Sequence, residues 1–212
     1  PEVNKTWLGE FSASLQGICN QLDLALVGGD TVKGPLSISL TVLGKSGASV
    51  LTRAGAQLGD DVWVSNSLGR GGAALKLLDC RAPGNEDSLQ ISSEDETRLL
   101  RHFYAPDSLL ELGVGLSGIA NAAIDISDGL LADAGHIAEQ SDVSLVLNWP
   151  QLPIDEAVLR LGSQAEIQQW VLAHGDEYQL LFTAARDKRQ HIEALTERLS
   201  IPCCQIGTVQ PG

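Results

Sequence analysis

Methionine is absent from this sequence, and aromatic residues are scarce. None of the 212 residues is methionine, and phenylalanine, tryptophan and tyrosine together make up 4%. One or more methionines are expected in a chain of this length, and the first residue is Pro1. We therefore expect a fragment of a longer protein. A second explanation is that modified methionines are missing from the sequence as written, which would shorten some spacings by one residue.

Long apolar runs are also missing. No run approaches the roughly 18 uninterrupted apolar residues that a membrane helix needs. The first twenty residues have neither a basic start nor a small-residue cleavage site. Because 43% of the residues are hydrophobic, the chain can still bury a sizeable core. These features predict a soluble, cytoplasmic protein without a membrane partner.

The sequence has few positively charged residues. Lysine and arginine number 14 against 27 aspartates and glutamates, so the formal net charge is -13. Such a surface repels nucleic acid and polyphosphates unless cations intervene, which argues against a nucleic-acid partner. Acidic proteins that handle phosphate usually place divalent metal between carboxylates and phosphate oxygens. The plainer interpretation, that the charge only keeps the protein soluble, explains most surface acids equally well.

Cysteine and histidine motifs are lacking as well. No two cysteines have the C-x-x-C spacing of a zinc or redox site, so we expect reduced structural thiols. The histidines show no spacing of a catalytic triad or a metal site, and we assign no catalytic residue. The residues are Cys19, Cys80, Cys203, Cys204, His102, His136, His174 and His191.

Strand and helix patterns alternate along the chain. This alternation predicts an α/β fold, in which a mixed β-sheet is flanked by helices. The segment Lys45-Ser46-Gly47-Ala48 is predicted to join two domains, and residues 81–96 form a predicted polar loop. The predicted strands are Leu24–Val27, Leu36–Val42, Val62–Val64, Asn121–Ile124, Val143–Leu147, Tyr178–Thr183 and Cys203–Ile206. The predicted helices are Trp7–Leu22, Gly71–Leu78, one ending near Tyr104, one capped by Asp107, Gly129–Gln140, weak helices up to Leu172, and Asp187–Leu199.

The segment Asp125-Ile126-Ser127-Asp128-Gly129 carries the strongest chemical signal. It lies between an apolar strand and a helix, where backbone N–H groups point outward and attract anions. Mg²⁺ held by Asp125 and Asp128 would reverse their repulsion of phosphate, and Ser127 can donate a hydrogen bond to a phosphate oxygen. The alternative is an ordinary helix cap, in which Ser127 or Asp128 accepts hydrogen bonds from the first N–H groups.

Three further segments are candidates for the same chemistry. Gly28-Gly29-Asp30-Thr31 follows an apolar run, and its aspartate can bind metal, although turns favour aspartate anyway. Arg53 can pair with two phosphate oxygens or form a surface salt bridge. Gly175-Asp176-Glu177-Tyr178 is an acidic turn before a strand. The loop Ser67–Gly72 lacks the ending of a P-loop, so its glycines indicate close packing.

In this order, the motifs resemble those of thiamine-monophosphate kinases over nearly the whole chain. Each motif is weak to moderate by itself, but five in register are specific. They are Gly28-Gly29-Asp30-Thr31, Leu51-Thr52-Arg53-Ala54-Gly55-Ala56, Gly59-Asp60, Ala123-Ile124-Asp125-Ile126-Ser127-Asp128-Gly129-Leu130 and Gly175-Asp176-Glu177-Tyr178.

The resemblance implies the two-domain fold shared with aminoimidazole ribonucleotide synthetase and selenophosphate synthetase. Residues 1–47 would be a remnant of the amino-terminal ATP- and magnesium-binding domain, and residues 48–212 the carboxy-terminal domain. The implied reaction is phosphoryl transfer from ATP to thiamine monophosphate with several Mg²⁺ ions, and the implied assembly is a homodimer. By motif position, the implied ligands are Asp30, Asp125 and Asp128 for Mg²⁺, Gly29, Asp30, Arg53 and Ser127 for ATP, and Asp176 or Glu177 for the substrate.

Three departures from the family pattern qualify these expectations. The family usually has Gly-Glu-Asp-Tyr where this sequence has Gly175-Asp176-Glu177-Tyr178, which leaves open which acid meets the substrate. Most of the amino-terminal domain is absent, so we expect weak or no catalysis from this chain alone. The chain stops at Gly212, before the tail that would supply an aromatic wall for the thiamine ring. The open alternatives are selenophosphate or aminoimidazole ribonucleotide synthesis, and a non-catalytic nucleotide-binding or dimerising module.

Overall fold

The computed structural model describes residues 4–46, 49–82 and 89–212. Within these residues the chain forms eight α-helices and five β-strands. It divides into two compact units, Pro1–Gly44 and Lys45–Gly212. The assignment of residues 1–47 and 48–212 to two domains of the family stays a prediction, since Gly47 and Ala48 lie outside the described residues.

Helix α1 (Lys5–Gln21) is the regular element of the first unit. The side chain of Asn4 caps it by accepting a hydrogen bond from the Trp7 backbone N–H at 3.0 Å. The rings of Trp7 and Phe11, one helical turn apart, stack with centroids at 5.4 Å. The predicted helix Trp7–Leu22 is therefore confirmed.

The two strands predicted in the first unit are wrong. Leu24–Val27 and Leu36–Val42 are assigned to no strand, and Val27 and Val42 are 87% and 76% exposed. A strand needs a neighbour to accept and donate its backbone hydrogen bonds. No neighbouring strand pairs with either segment in the described part of this unit. Apolar alternation alone therefore does not create a strand here.

The second unit is built on one five-stranded sheet. Its strands run in the order β2-β4-β1-β5-β3, and all four pairings are antiparallel. Leu68 and Ile154 add an isolated parallel bridge outside the sheet. The α/β class is confirmed. The strands are β1 (Asp61–Ser65), β2 (Ala122–Asp125), β3 (Val143–Leu147), β4 (Leu180–Ala184) and β5 (Cys203–Pro211).

Helices cover both faces of this sheet, which explains why every residue of β1 is buried. Val62 and Val64 belong to one core cluster, whereas Trp63 between them belongs to another. Such alternation follows from the two-residue period of a strand. The helices are α2 (Arg70–Cys80), α3 (Ser93–Tyr104), α4 (Leu110–Leu116), α5 (Leu130–Ser141), α6 (Glu156–Leu161), α7 (Gln164–Leu172) and α8 (Arg189–Leu199).

Each face of the sheet has its own apolar cover. Leu130 and Ile137 of α5 pack in the cluster that contains Val62 and Val64. Helices α4 and α8 contribute Leu112 and Ile192 to the cluster on the opposite face. A third cluster joins α2, α3, α6 and α7 beside the sheet. These layers fix the positions of the loops that follow β2 and precede β4.

The polar loop predicted at 81–96 is partly wrong. Helix α3 already begins at Ser93, because Ser92 caps it by accepting a hydrogen bond from the Asp95 backbone N–H at 3.0 Å. A serine followed by acids in the first turn is a typical helix start. Residues 83–88 of the predicted loop lie outside the described residues.

The cap predicted at Asp107 is also wrong. Helix α4 begins at Leu110 after Leu109, which makes no side-chain cap. The Leu110 N–H donates to Ser108 Oγ at 3.4 Å. Asp107 instead accepts a hydrogen bond from Arg101 Nη2 at 3.1 Å. Both side chains of this pair are exposed.

All four cysteines are free thiols. Cys203 and Cys204 are half-buried and pack against opposite core clusters. Burial raises the pKa of Cys203 to about 12, which suits an unreactive structural thiol. Among the described residues, no helix has both the length and the apolarity to cross a membrane.

Candidate active site

Two acidic segments lie side by side at one end of the sheet. We call Asp125–Gly129 the first acidic segment and Gly175–Tyr178 the second. The Tyr178 N–H donates to the Ile126 carbonyl at 2.8 Å, and the Asp176 N–H donates to the Ser127 carbonyl at 3.1 Å. These bonds extend the antiparallel pairing of β2 with β4. The structure thus brings together Asp125, Ser127, Asp128 and Asp176, as the motifs predict.

Glycine at position 175 allows this close approach. A Cβ atom added there would collide with the carbonyl oxygen of Ser127. The contact is between two backbones, so no side chain can move aside to relieve it. Gly175 is therefore required by the packing of the two acidic segments.

A buried aspartate shapes the first acidic segment. Asp133 lies in the first turn of α5 and is 1% exposed. Its Oδ2 accepts hydrogen bonds from the backbone N–H groups of Ser127, Asp128 and Gly129 at 3.0, 3.1 and 3.2 Å. These donors would otherwise have no partner at the start of the helix. Asp133 therefore takes the role of the helix cap.

The helix-cap interpretation of Ser127 and Asp128 is consequently wrong. No side chain of the first acidic segment caps α5. Asp125 and Asp128 are exposed, and Ser127 is half-buried. Within the described part of the chain, none of these three side chains makes a hydrogen bond or ion pair. Their oxygens remain available to a ligand.

Tyr178 connects the second acidic segment to this group. Asp176 and Tyr178 both have left-handed backbones, with φ of 59° and 51°. The Tyr178 hydroxyl donates to Asp176 Oδ1 at 3.0 Å, and this bond is the main cause that raises the pKa of Tyr178. Partial burial and the negative charges of Asp176, Asp125 and Asp128 raise it further. All three carboxylates therefore raise the pKa of the same Tyr178 hydroxyl.

Glu177 points in the opposite direction. It is 1% exposed, and its Oε1 accepts a hydrogen bond from the Gly71 backbone N–H at 2.8 Å. Asp176 is exposed on the side of the first acidic segment. Of the two acids that the sequence left as alternatives, Asp176 is exposed and Glu177 is buried.

The loop of Arg53 lies against the other edge of β2. The Ala123 N–H donates to the Thr52 carbonyl at 2.9 Å. Ala123 precedes Asp125 by two residues, which is about 7 Å along a strand, so an extended arginine side chain can reach the first acidic segment. The Arg53 side chain is exposed, and no contact of its guanidinium is present in the described residues.

Ser141 holds this loop from the last turn of α5. Its hydroxyl donates to the Arg53 carbonyl at 3.2 Å and accepts from the N–H groups of Gly55 and Ala56 at 3.1 and 3.2 Å. One side chain thus satisfies three backbone groups of the loop. Helix α5 is fixed to the first acidic segment at its start and to the Arg53 loop at its end.

Gly29 and Asp30 belong to the unit Pro1–Gly44. Both are exposed, and Asp30 Oδ1 accepts a hydrogen bond from the Thr31 N–H at 2.7 Å. A Cβ atom added at Gly28 or Gly29 would meet nothing within 4 Å. Their assignment to ATP and metal stays a prediction.

The glycines of Ser67–Gly72 serve close packing, as predicted. A Cβ at Gly71 would meet the Gly175 carbonyl, and one at Gly72 would meet the Trp170 side chain at 2.7 Å. The backbone at the start of α2 therefore packs directly on the second acidic segment and on α7.

The oxygen ligands of this site suit a hard divalent cation. Carboxylate and hydroxyl oxygens are the donors that Mg²⁺ prefers, and three exposed carboxylates near one another need a counter-charge. Asp128 also lies near Asp133 and His136, and one potential ligand atom from each falls within 4.8 Å of the others. Because Asp133 Oδ2 is occupied by three N–H donors, the exposed carboxylates Asp125 and Asp128 fit the metal better.

Three residues of the site have no role in the motif analysis. Asp133 carries one usable signal, because an acid in the first turn of a helix often accepts hydrogen bonds there. Ser141 carries none, since it contacts residues more than 80 positions away. The burial of His102 beside Glu177 is also invisible in the sequence, because no periodic pattern reveals a contact between distant segments.

Known proteins match the chain along most of its length. The family described as AIR synthase related protein, C-terminal domain, matches residues 57–212. The thiamine-monophosphate kinase of Haemophilus influenzae is 36% identical over 212 residues, which cover 99% of this chain and 62% of that protein. The chain thus spans 62% of the length of this curated relative.

Solved structures give the same result. The crystal structure of thiamine-monophosphate kinase from Stenotrophomonas maltophilia K279a superposes with a TM-score of 0.92 at 39% identity, covering 100% of this chain and 67% of that chain. A structure described as AaThiL complexed with AMPPCP and TMP has a TM-score of 0.76 at 25% identity and covers 100% and 64% of the two chains. The resemblance noted in the sequence is confirmed.

Proposed function

Because this chain belongs to the family of AIR synthase related proteins, C-terminal domain, we propose that its protein transfers the γ-phosphoryl group of ATP to thiamine monophosphate, giving thiamine diphosphate. Similar proteins bear the name thiamine-monophosphate kinase, and one related structure contains AMPPCP and TMP. The relatives support this substrate pair over the selenophosphate and aminoimidazole ribonucleotide alternatives. The chain covers only part of these relatives, so the activity is proposed for the whole protein.

The observation that carries the proposal is the convergence of Asp125, Asp128 and Asp176 around Tyr178. All three carboxylates contribute to the raised pKa of that tyrosine. Three acids close together repel phosphate unless cations neutralise them. Phosphoryl transfer between two phosphates requires such neutralisation more than it requires a nucleophile on the protein.

We assign the residues to roles as follows. Asp125 and Asp128, with Asp30, would hold several Mg²⁺ ions, which supply charge neutralisation between the two phosphates when bound. The Ser127 hydroxyl would donate a hydrogen bond to a phosphate oxygen of ATP. Arg53 and Gly29 would also contact the nucleotide. Asp176 is the acid that meets the substrate, because Glu177 is buried. No general base is assigned, since the acceptor phosphate is itself a nucleophile.

The test is an assay of the full-length protein for thiamine diphosphate, with ATP and thiamine monophosphate, in the presence and absence of Mg²⁺. We expect product only with Mg²⁺. Selenide and formylglycinamidine ribonucleotide, each supplied in place of thiamine monophosphate, should give no ATP turnover. Absence of thiamine diphosphate under all metal conditions would refute the proposal.

A matched pair of variants connects the activity to the site. Asp125→Asn removes one proposed metal ligand and should lower kcat/KM about 100-fold or more, because a lost charge contact at a phosphoryl-transfer site costs several kcal/mol. Asp187→Asn makes the same change at an exposed position between β4 and α8 and should leave the rate unchanged. An equal loss of kcat/KM in the two variants would show that the activity does not depend on this site.

The proposal includes a cytoplasmic homodimer that binds neither membrane nor nucleic acid. The net charge of -13 opposes binding to anionic surfaces. Dimerisation is implied by the family resemblance. Light scattering of the full-length protein at working concentrations checks the dimer.

A further inference from the structure

Two ionisable side chains meet in the protein interior behind the second acidic segment. His102 comes from α3, and Glu177 lies between Asp176 and Tyr178. Their side chains are 4% and 1% exposed, and His102 Nε2 lies 3.8 Å from Glu177 Oε2. Water therefore has almost no access to either group.

Both atoms that face each other lack a hydrogen-bond partner. Within the described residues, His102 Nε2 and Glu177 Oε2 are buried and unpaired. The other carboxyl oxygen, Oε1, already accepts the Gly71 N–H. Buried polar atoms in folded proteins are nearly always paired. A separation of 3.8 Å exceeds a hydrogen bond by about 1 Å, which small side-chain rotations can close.

We propose that His102 and Glu177 hold one proton between them, carried on Glu177 Oε2 and donated to His102 Nε2, and that this bond positions Asp176 for the substrate. Both residues are positioning residues, because neither reaches the exposed site. The shared proton concerns the fold alone. The positioning of Asp176 for the substrate rests on the proposed function.

The geometry explains how the pair acts on Asp176. Glu177 is anchored to α2 through the Gly71 N–H and, with the shared proton, to α3 through His102. The residues on either side of it, Asp176 and Tyr178, both have positive φ, which is unfavourable for residues other than glycine. An inward anchor between them keeps their side chains turned toward the first acidic segment.

Charged groups from four elements surround the pair. Arg70 lies at the start of α2, and its Nε is buried without a hydrogen-bond partner among the described residues. Asp155 precedes α6 and is paired with Arg98 of α3 at 3.0 Å. Asp107 lies before α4. The positive charge of Arg70 opposes protonation of both members. Asp155 favours protonation of both, and Asp107 favours protonation of His102.

Burial dominates these charges. It raises the pKa of Glu177 to about 7. It also lowers the pKa of His102 to about 4, with Arg70 acting in the same direction. Between these values the carboxyl group is protonated and the imidazole is neutral. This is the charge state in which a carboxyl proton can be donated to an imidazole nitrogen.

The proton count of the pair hardly changes on folding between about pH 4.5 and 6.5. In the unfolded chain the glutamate is ionised and the histidine protonated, so the pair also holds one proton. Stability changes with pH only where the two states bind different numbers of protons. The pair therefore contributes no pH dependence in this range, although each member alone would.

The single variants separate the contribution of Glu177 to the pH dependence of stability from the contribution of His102. In His102→Gln only Glu177 titrates, and the folded state binds the extra proton, so stability should fall as pH rises from about 4.5 to 7. In Glu177→Gln only His102 titrates, and the unfolded state binds the extra proton, so stability should rise from about pH 4 to 6.5. Urea unfolding of wild type and both variants across this range measures the slopes relative to wild type. Parallel curves for all three proteins would overturn the shared proton.

Nitrogen NMR of the histidine side chains measures their protonation in the folded wild-type protein, independently of unfolding. At pH 6 we expect the imidazole of His102 to be neutral. A His102 that titrates near pH 6.5, the ordinary value for a histidine side chain, would also overturn the proposal. The signals that disappear in His102→Gln assign the His102 side chain.

Kinetics test the positioning of Asp176. Glu177→Leu removes the bonds to Gly71 and His102, and should raise KM for thiamine monophosphate about tenfold, the effect of losing roughly 1.4 kcal/mol, with a smaller effect on KM for ATP. Glu177→Gln can still accept from Gly71 and donate to His102, so its KM should rise less. Equal increases for both substrates in Glu177→Leu would contradict positioning. If the wild-type protein proves inactive, the proposed function fails, while the NMR and unfolding results still decide the proton.

Discussion

A single carboxylate, Asp133, determines the shape of the loop that presents Asp125 and Asp128. Replacing it with alanine leaves three backbone N–H donors without an acceptor. We expect Asp133→Ala to lower the free energy of unfolding by about 2–3 kcal/mol, the range for hydrogen bonds to charged groups. Urea unfolding measures this loss. The fall in kcat/KM in the kinase assay, expressed as a free energy, should be larger than the loss in the free energy of unfolding.

Asp133→Asn is the matched control, because its side-chain oxygen can still accept from the same N–H groups. It should lose about 1 kcal/mol, the value of a neutral hydrogen bond. If alanine and asparagine have equal effects, the hydrogen bonds to Ser127, Asp128 and Gly129 do not determine the loop.

Ser141 offers a second test among the residues that the motifs did not reveal. Ser141→Ala removes all three hydrogen bonds to the Arg53 loop. Because Arg53 is proposed to bind ATP, KM for ATP should rise about 3–10-fold, equivalent to roughly 1 kcal/mol. KM for thiamine monophosphate should stay near its wild-type value.

Ser144 on β3 is the control for this variant, because its side chain makes no hydrogen bond in the described part of the chain. Ser144→Ala should change neither KM. An unchanged KM for ATP in Ser141→Ala would show that the position of Arg53 does not depend on the loop.

Among individual residues, the sequence predicted which candidate site residues lie together, but not the residues that support them. Asp125, Ser127, Asp128 and Asp176 come together as the motifs indicate. The sequence could not distinguish Asp176 from Glu177, because adjacent acids look alike until the direction of each side chain is known.

At the level of elements, the packing of the two acidic segments depends on Gly175. We expect Gly175→Ala to destabilise the protein by about 2–4 kcal/mol or to prevent folding, because overpacking against a rigid backbone is costly. Thermal unfolding and the yield of folded protein measure this outcome. A stable Gly175→Ala protein with full activity would show that the segments can separate without loss.

Gly135 in α5 is the control glycine, because a Cβ there would meet nothing within 4 Å. Gly135→Ala should stabilise the protein by about 0.5–1 kcal/mol, since alanine is the better helix former. Opposite signs for two glycine-to-alanine changes would confirm that the cost at Gly175 is steric.

The elements of the second unit could largely be predicted from apolar periodicity and turn residues. Strands β1 to β5 and the helices between them follow those signals, with shifts at their ends. The strands predicted at Leu24–Val27 and Leu36–Val42 failed for a physical reason. Periodicity reports which face of a segment is apolar, whereas a strand also needs a partner for its backbone.

At the level of the whole molecule, the net charge of -13 leads us to expect that the proposed site depends on cations. We expect millimolar Mg²⁺ to raise the melting temperature of the protein, because a ligand that binds only the folded state stabilises it. NaCl at the same ionic strength should have a smaller effect. In the double variant Asp125→Asn, Asp128→Asn the specific increase should disappear, and its persistence would place the cation elsewhere. Differential scanning calorimetry measures all three.

The fold class could be predicted for the molecule as a whole, but the strand order could not. Neighbours in the sheet such as β2 and β4 are separated by more than 50 residues. Such pairings depend on tertiary packing, and local sequence patterns carry no information about it. The relation of the first unit to the acidic segments is likewise not contained in the motifs.

The cap formed by Asp133 has a further consequence for ligand binding. Its three hydrogen bonds hold the backbone of Asp125–Gly129 in place before any ligand arrives. A preorganised loop loses little conformational entropy on association, so more of the interaction energy remains as affinity. Incoming cation and phosphate would then find the loop backbone already set, and the remaining entropic cost would fall mainly on exposed side chains such as Arg53.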